Sequence, residues 1–180
     1  TGMYVNKGNY APNADDTLTA QWTDEQYSYT VNYYLMGTDG TYPGQVSETR
    51  TCTAAYGAEI RSSDSAVSIS KAGMTADTAA EYQKSITVER DGLTLDVHYK
   101  RLSYTITYSY TAPGAATSTT HSDTILYGAA VTEYARPAAE GYKFVGWVYG
   151  ESGTAPSRMP GYNITATGSF KAEDASSTHN

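Results

Sequence analysis

Ser28-Tyr29-Thr30-Val31-Asn32-Tyr33 recurs later in the chain as Ser103-Tyr104-Thr105-Ile106-Thr107-Tyr108. Both stretches alternate. Tyr27, Tyr29, Val31, Tyr33 and Leu35 fall on one face, with Ser28, Thr30 and Asn32 on the other. Tyr104, Ile106, Tyr108 and Tyr110 do the same against Thr105, Thr107 and Ser109. Alternation with β-branched and aromatic residues predicts strands with one face in a core and one in water. A second segment, Tyr56-Gly57-Ala58-Glu59-Ile60, recurs in the same order as Tyr127-Gly128-Ala129-Ala130-Val131. The chain therefore reads as two copies of a related unit. Their spacing exceeds that of a solenoid repeat, so each copy is expected to hold its own core.

Between these repeats, Asp91-Gly92 is a type I′ turn signal, and it predicts a hairpin over residues 84–100. That register sets Arg90 opposite Leu93, Val88 opposite Leu95 and Ile86 opposite Val97. Thr87, Glu89, Thr94, Asp96 and His98 then share the outer face. Asp39-Gly40 reads as a turn between strands. Helix signal is thin. Thr78-Ala79-Ala80-Glu81 offers a capping box for a short helix, and residues 62–83 otherwise read as loop. Val131-Thr132-Glu133-Tyr134 fits a strand or a helical turn.

The 180 residues suffice for two small domains. Net charge is -7, and 12 scattered Lys and Arg face 19 acids. A nucleic-acid binder needs clustered cations, so this balance argues against such a partner and against an anionic membrane surface. No apolar run is long enough to span a bilayer. Thr1-Gly2-Met3-Tyr4 opens no basic-then-apolar leader, so the start reads as internal to a longer chain. There are 18 Tyr against two Phe and two Trp, which suits thin, half-buried sheets. The single Cys52 excludes an intrachain disulfide and cysteine-based zinc and redox motifs. A half-buried structural thiol is its expected role, facing Arg50 or its neighbours according to register.

Residues 141–170 carry a compound pattern. Gly141-Tyr142-Lys143-Phe144-Val145-Gly146-Trp147 is followed by Met159-Pro160 and then by the alternating Ile164-Thr165-Ala166-Thr167-Gly168-Ser169-Phe170. With the opening strand at 103, this resembles the Listeria–Bacteroides repeat, also called the internalin B-repeat, over residues 103–171. Residues 12–22, ending Leu18-Thr19-Ala20-Gln21-Trp22, resemble the closing strand of a preceding unit of that family. Residues 23–102 are similar to the MucBP-like modules of Gram-positive surface proteins. The resemblance implies mostly-β, β-grasp-like modules (α+β with little helix) in tandem, each on a mixed or antiparallel sheet. They would belong to an exported protein of the bacterial cell surface or cell wall. The expected division is a closing strand at 1–22, modules at 23–102 and 103–171, and a disordered linker at 172–180. The joint Lys100-Arg101-Leu102-Ser103 lacks Gly and Pro and predicts a short, stiff connection. Within the second motif, Tyr142, Phe144 and Val148 are expected to share the inner face. Gly146 is expected to leave room for a ring, and Trp147 to centre the core.

Catalytic chemistry is not indicated. No nucleophile elbow, H-E-x-x-H, P-loop or dinucleotide fingerprint is present. His98, His121 and His179 lie in different segments, with His98 expected in solvent on the outer hairpin face. An enzyme would need His98 or His121 to meet a carboxylate and a nucleophile in a pocket. Asp15-Asp16 and Asp39 lack the spacing of a calcium loop. Asn32, Lys84 and Lys100 read as ordinary surface residues rather than isopeptide partners, and Asn163-Ile164-Thr165 is a formal sequon. The expectation is no catalytic residue, no cofactor and no metal site. The function expected is a structural stalk whose partners are neighbouring modules of the same chain. The alternative is adhesion to host glycan, mucin or matrix protein, which one clustered patch of exposed aromatics would favour.

Overall fold

The computed structural model describes residues 23–173, so the expected closing strand at 1–22 and residues 174–180 lie outside the described residues. The first body contains β1 (Gln26–Leu35), β2 (Glu48–Ala55), β3 (Glu59–Arg61), β4 (Met74–Ala76), β5 (Ser85–Thr87) and β6 (Leu93–Arg101). The second contains β7 (Ser103–Tyr110), β8 (Thr119–Leu126), β9 (Tyr142–Tyr149) and β10 (Ile164–Ala172). The sheets run β2-β1-β6-β4 and β8-β7-β10-β9, with β3 and β5 as a separate pair. In each four-stranded sheet the two central strands are parallel and the outer pairings antiparallel. The two bodies are therefore mostly β and share one topology. Among the described residues helix is confined to 3-10 turns at Ser65–Val67 and Ala80–Tyr82.

The alternating strands bury the faces expected of them. Tyr29, Val31 and Tyr33 join Leu95, Val97, Tyr99, Val67 and Val88 in one core. Ile106 and Tyr108 join Phe144, Trp147, Tyr149, Met159, Ile164 and Ala166 in the other. Pairing shows that the opening repeats correspond two residues away from their sequence match. Tyr29 lies beside Leu93 on the parallel strand, and Ile106, not Tyr104, lies beside Ile164. A two-residue slip keeps every side chain on its own face, so periodicity alone cannot detect it.

The hairpin expected over 84–100 does not form. Gly92 has φ +80°, but among the described residues no non-glycine has positive φ, so Asp91 does not complete a type I′ turn. The Asp91 carboxylate instead accepts hydrogen bonds from the Ser28 amide (2.7 Å) and hydroxyl (2.9 Å). Gly92 donates to the Ser28 carbonyl at 3.1 Å. The turn is thereby pinned to the start of β1, and β6 leaves it parallel to β1. β5 pairs with β3 through Ile60 and Ile86. Val88 and Leu95 share the core without being cross-strand neighbours. The hydrophobic pattern fits either arrangement, and the observed one gives β6 a strand on each side.

Four smaller features differ from the expectation. The capping box does not form: Ala79 precedes the turn with no side-chain cap, and only one 3-10 turn, Ala80–Tyr82, follows, while Asp77 accepts from the Ala79 amide (3.1 Å). Val131-Thr132-Glu133-Tyr134 is neither strand nor helix. The phase of β9 changes midway: Phe144, Trp147 and Tyr149 point inward, while Tyr142 and Val148 are exposed. The cause is a bulge at Val145, because Phe170 pairs with Phe144 and Ser169 with Gly146. Gly146 serves this bulge with φ +148°. The ring-accommodating glycine is Gly168, where a methyl would meet Phe144 Cζ at 2.6 Å and Trp147 Cζ3 at 2.8 Å.

In the first body a loop rather than an α-helix covers the sheet, and side chains hold that loop down. The Tyr33 hydroxyl donates to the Val67 carbonyl (2.8 Å), and the Tyr99 hydroxyl accepts from the Ile69 amide (2.8 Å). Arg50, whose guanidinium lies 5.7 Å from the Tyr33 ring centroid, donates to the carbonyls of Ala66 and Ser68. Replacing both tyrosines by phenylalanine keeps the rings but strands the Val67 carbonyl and the Ile69 amide. The expected loss is about 1–3 kcal/mol per group, read as faster hydrogen exchange on β1 and β6 with β7 and β10 unchanged. Gly168→Ala should act on the other body. Overpacking against two core rings costs about 1–3 kcal/mol, and exchange should quicken on β7 and β10 instead.

Candidate functional site: the joint between the two sheets

The chain passes from β6 to β7 through one residue, Leu102. Its amide donates to the Gly73 carbonyl of the first body at 2.8 Å. Its carbonyl accepts from the Tyr127 amide of the second body, also at 2.8 Å. A linker residue bonded on both sides has its backbone amide and carbonyl satisfied by protein rather than water.

Side chains reinforce it. Arg101 donates through Nε to the Met36 carbonyl (2.9 Å) and through Nη1 to the Tyr127 carbonyl (3.0 Å), clamping one body to the other. The Tyr127 ring lies directly on Gly73, so that a methyl there would be driven into the ring. Gly73 has φ +65°, a conformation that also favours glycine. The predicted turn at Asp39-Gly40 takes part: the Asp39 carboxylate accepts from the Thr41 amide (3.0 Å), and a methyl on Gly40 would meet Leu126 Cδ1 at 3.4 Å. The connection expected to be short at Lys100-Arg101-Leu102-Ser103 is one residue long and is hydrogen-bonded to both bodies. Sequence reasoning missed Gly73 and the wedge role of Tyr127. The recurrence of Tyr-Gly at 56 and 127 was the signal available.

The residues weighed for chemistry are dispersed. His98 is not in open solvent. It stacks between Tyr34 (centroids 4.7 Å apart, 10°) and Tyr82 (4.4 Å, 29°), with Tyr42 edge-on at 4.8 Å. Its Nδ1 is buried without a partner. Beside this box the buried Asp77 accepts from the Tyr42 hydroxyl at 2.7 Å, with Lys100 Nζ at 3.6 Å. Burial alone would raise the Asp77 pKa, but Tyr42, the Ala79 amide and Lys100 together bring it below its usual value. Asn32 donates to Asp96 (2.9 Å), and neither it nor Lys100 meets the other. Lys84 contributes its backbone amide to Ser62, and the Asn163 side chain accepts from the Thr105 amide. Cys52 shares the half-buried face of β2 with Arg50 and packs on the first core.

His121 does meet a carboxylate, Asp123, at 2.8 Å. It stacks on Tyr134 at 4.1 Å in a shallow cleft of about 460 Å³, and Glu133 and Thr132 line the same cleft. Among the described residues no serine, threonine or cysteine is hydrogen-bonded to its ring. Also among them, no group of three or more His, Cys, Asp or Glu is placed to hold a metal. Asp15-Asp16 and His179 lie outside the described residues. No helix among the described residues is long and apolar enough to cross a membrane.

No protein-family model and no curated protein matches the chain. Among solved structures it is similar to domains 3–4 of the Streptococcal High Identity Repeats in Tandem of a cell surface protein. Identity is 13%, the TM-score is 0.26, and the match covers 81% of this chain and 99% of that chain.

The His98 box sets a pH dependence. Burial holds the imidazole below its ordinary pKa, with Lys84 adding to the effect, against Asp96 and Asp77, which would raise it. The unfolded chain therefore takes up the proton first. Stability is full above the unfolded value of about 6.5 and is lost as pH falls from there through the folded pKa. The denaturation midpoint of the first body should drop between about pH 7 and pH 5, and His98→Phe should flatten that drop. An unchanged slope in the variant would remove His98 as its cause.

Proposed function

We propose that this chain is a non-catalytic structural segment of a secreted bacterial cell-surface protein, in which tandem bodies act as a stiff spacer. The observation that carries this reading is Leu102, whose backbone is hydrogen-bonded to both bodies at once. Arg101 and Tyr127 make the same connection through side chains. A mobile linker would leave these groups in water. The location outside the cell rests on the resemblance of residues 103–171 to the Listeria–Bacteroides repeat and of 23–102 to MucBP-like modules.

The distribution of aromatics supports a spacer over adhesion. The exposed tyrosines are Tyr56 (61%) on the first body and Tyr142 (41%) and Tyr162 (64%) on the second. The remaining described aromatics serve the cores, the joint or the His98 box rather than one outward patch.

Stiffness is directly measurable. Amide residual dipolar couplings from both bodies should fit one alignment tensor in the natural chain. Tyr127→Ala, which removes the wedge but no member of either buried core, should split them into two tensors while each body keeps its own spectrum. Arg101→Ala should do so more weakly. Two independent tensors in the unaltered chain would overturn the spacer reading. Saturable binding to mucins, glycans or matrix proteins would replace it with adhesion.

A further inference from the structure

We propose that Tyr56 is the open half of a second joint of the same kind, made to take the C-terminal edge of another body of this build directly preceding it in the chain. This rests on the spacer reading and extends it to the partner of a surface the described residues leave bare.

The correspondence with the occupied joint is bond by bond. Tyr127 donates to Leu102 at 2.8 Å, and Tyr56 donates to Glu25 at 2.8 Å. The Tyr127 ring lies 6.5 Å from Tyr104, and the Tyr56 ring 6.1 Å from Tyr27. Gly128 and Gly57, the next residues, have φ +75° and +82° and donate to Met159 (2.8 Å) and Val88 (2.7 Å). The difference is cover. Tyr127 is partly buried against Gly73, whereas Tyr56 is 61% exposed. A methyl on Gly128 would touch Arg101, and one on Gly57 would touch nothing.

The complementary half also exists. Gly73 accepts from Leu102, the residue after the closing strand, at 2.8 Å; Gly141 accepts from Glu173, the residue after β10, at 2.9 Å. Both glycines have positive φ, +65° and +75°, but no atom lies where a tyrosine would cover Gly141. Each body thus carries a tyrosine at its entry and a glycine at its exit. Only the inner pair is matched among the described residues.

The sequence before β1 points to the occupant of the Tyr56 end. Thr17-Leu18-Thr19-Ala20-Gln21-Trp22 alternates as Thr94-Leu95-Asp96-Val97-His98-Tyr99 does in β6. Trp22 precedes Tyr27 by the same interval as Tyr99 precedes Tyr104. Glu25 accordingly stands in the linker position of Leu102, and its carbonyl already accepts from Tyr56.

The test uses a chain in which residues 1–172 run directly into residues 25–180. Glu25 of the downstream copy then follows Ala172 as Leu102 follows Arg101, and Gly141 of the upstream copy is brought to the downstream Tyr56. With Tyr56→Phe in the upstream copy, nitration by tetranitromethane, followed peptide by peptide, reports Tyr56 of the downstream copy separately from the other exposed tyrosines, Tyr142 and Tyr162. The expected result is that its rate falls from that of the single chain to that of Tyr127. Gly141→Val in the upstream copy should restore the faster rate. A downstream Tyr56 that reacts as in the single chain, beside a protected Tyr127, would overturn the inference and leave the spacer reading standing. A Tyr127 as reactive as Tyr56 in the single chain would overturn both. Protection that grows with concentration in the single chain would make a second copy the occupant and overturn the in-chain assignment.

Discussion

Parallel pairing of the first and last strands governs the build of each body. β1 lies parallel to β6, and β7 to β10, at the centre of each sheet. A parallel pair cannot be closed by a tight turn, so the chain must cross the sheet between the two strands. It follows that the chain enters a body at one end of the sheet and leaves at the other. An antiparallel last strand would return the chain to its entry, and the next body would have to sit alongside. Here the next body can follow with a single residue between strands, because β6 already points away from the start of β1. The joint at Leu102 is a consequence of that geometry.

The same crossover explains why tyrosine takes the place of phenylalanine. Where an α-helix covers a parallel pair, it satisfies its own amides and carbonyls. In the first body a loop with two 3-10 turns spans the gap, and its polar backbone must be answered from the sheet. Tyr33 and Tyr99 answer it with hydroxyls placed at the loop backbone, and Arg50 covers the adjacent carbonyls. In the second body Trp147 does the equivalent, its indole donating to the Tyr134 carbonyl at 3.1 Å. An aromatic with a polar tip can fill a thin core and hold a loop at once, which phenylalanine cannot.

The opening strands β1 and β7 and their inward faces were legible because alternation is a local property. Tyr29, Val31 and Tyr33, or Ile106 and Tyr108, carry the whole signal within one strand. Partner choice was not legible. Val88, Leu95 and Ile86 satisfy an antiparallel hairpin as well as they satisfy burial in a shared core, and Asp91-Gly92 fits both. The observed arrangement adds the parallel pairing of β1 with β6 and the bond from Ser28 to Asp91, all between residues far apart in sequence. β9 was misread for a related reason. One extra residue at Val145 inverts the pattern, and no local cue distinguishes a bulge glycine from a packing glycine such as Gly168. The shortness of the joint could be read from the missing Gly and Pro, but the ring on Gly73 could not, since its two halves lie in different bodies.

The joint is also asymmetric, which decides what kind of assembly it can make. A tyrosine at one end and a glycine at the other form a heterologous contact, and such contacts repeat without closing. Between separate molecules that property threatens uncontrolled fibres. Within one chain the covalent link brings the halves together at an effective concentration on the order of millimolar, so an intrinsically weak contact can be occupied there and remain vacant between chains. The contact at Leu102 fits that requirement: one ring on one glycine, one guanidinium and two backbone bonds. At the other exit Ala172 stands opposite Tyr142, where Arg101 stands opposite Met74. An alanine supplies no clamp, so successive joints along such a chain need not be equally firm. Residue choice at this one position sets where a row of otherwise similar bodies would bend first.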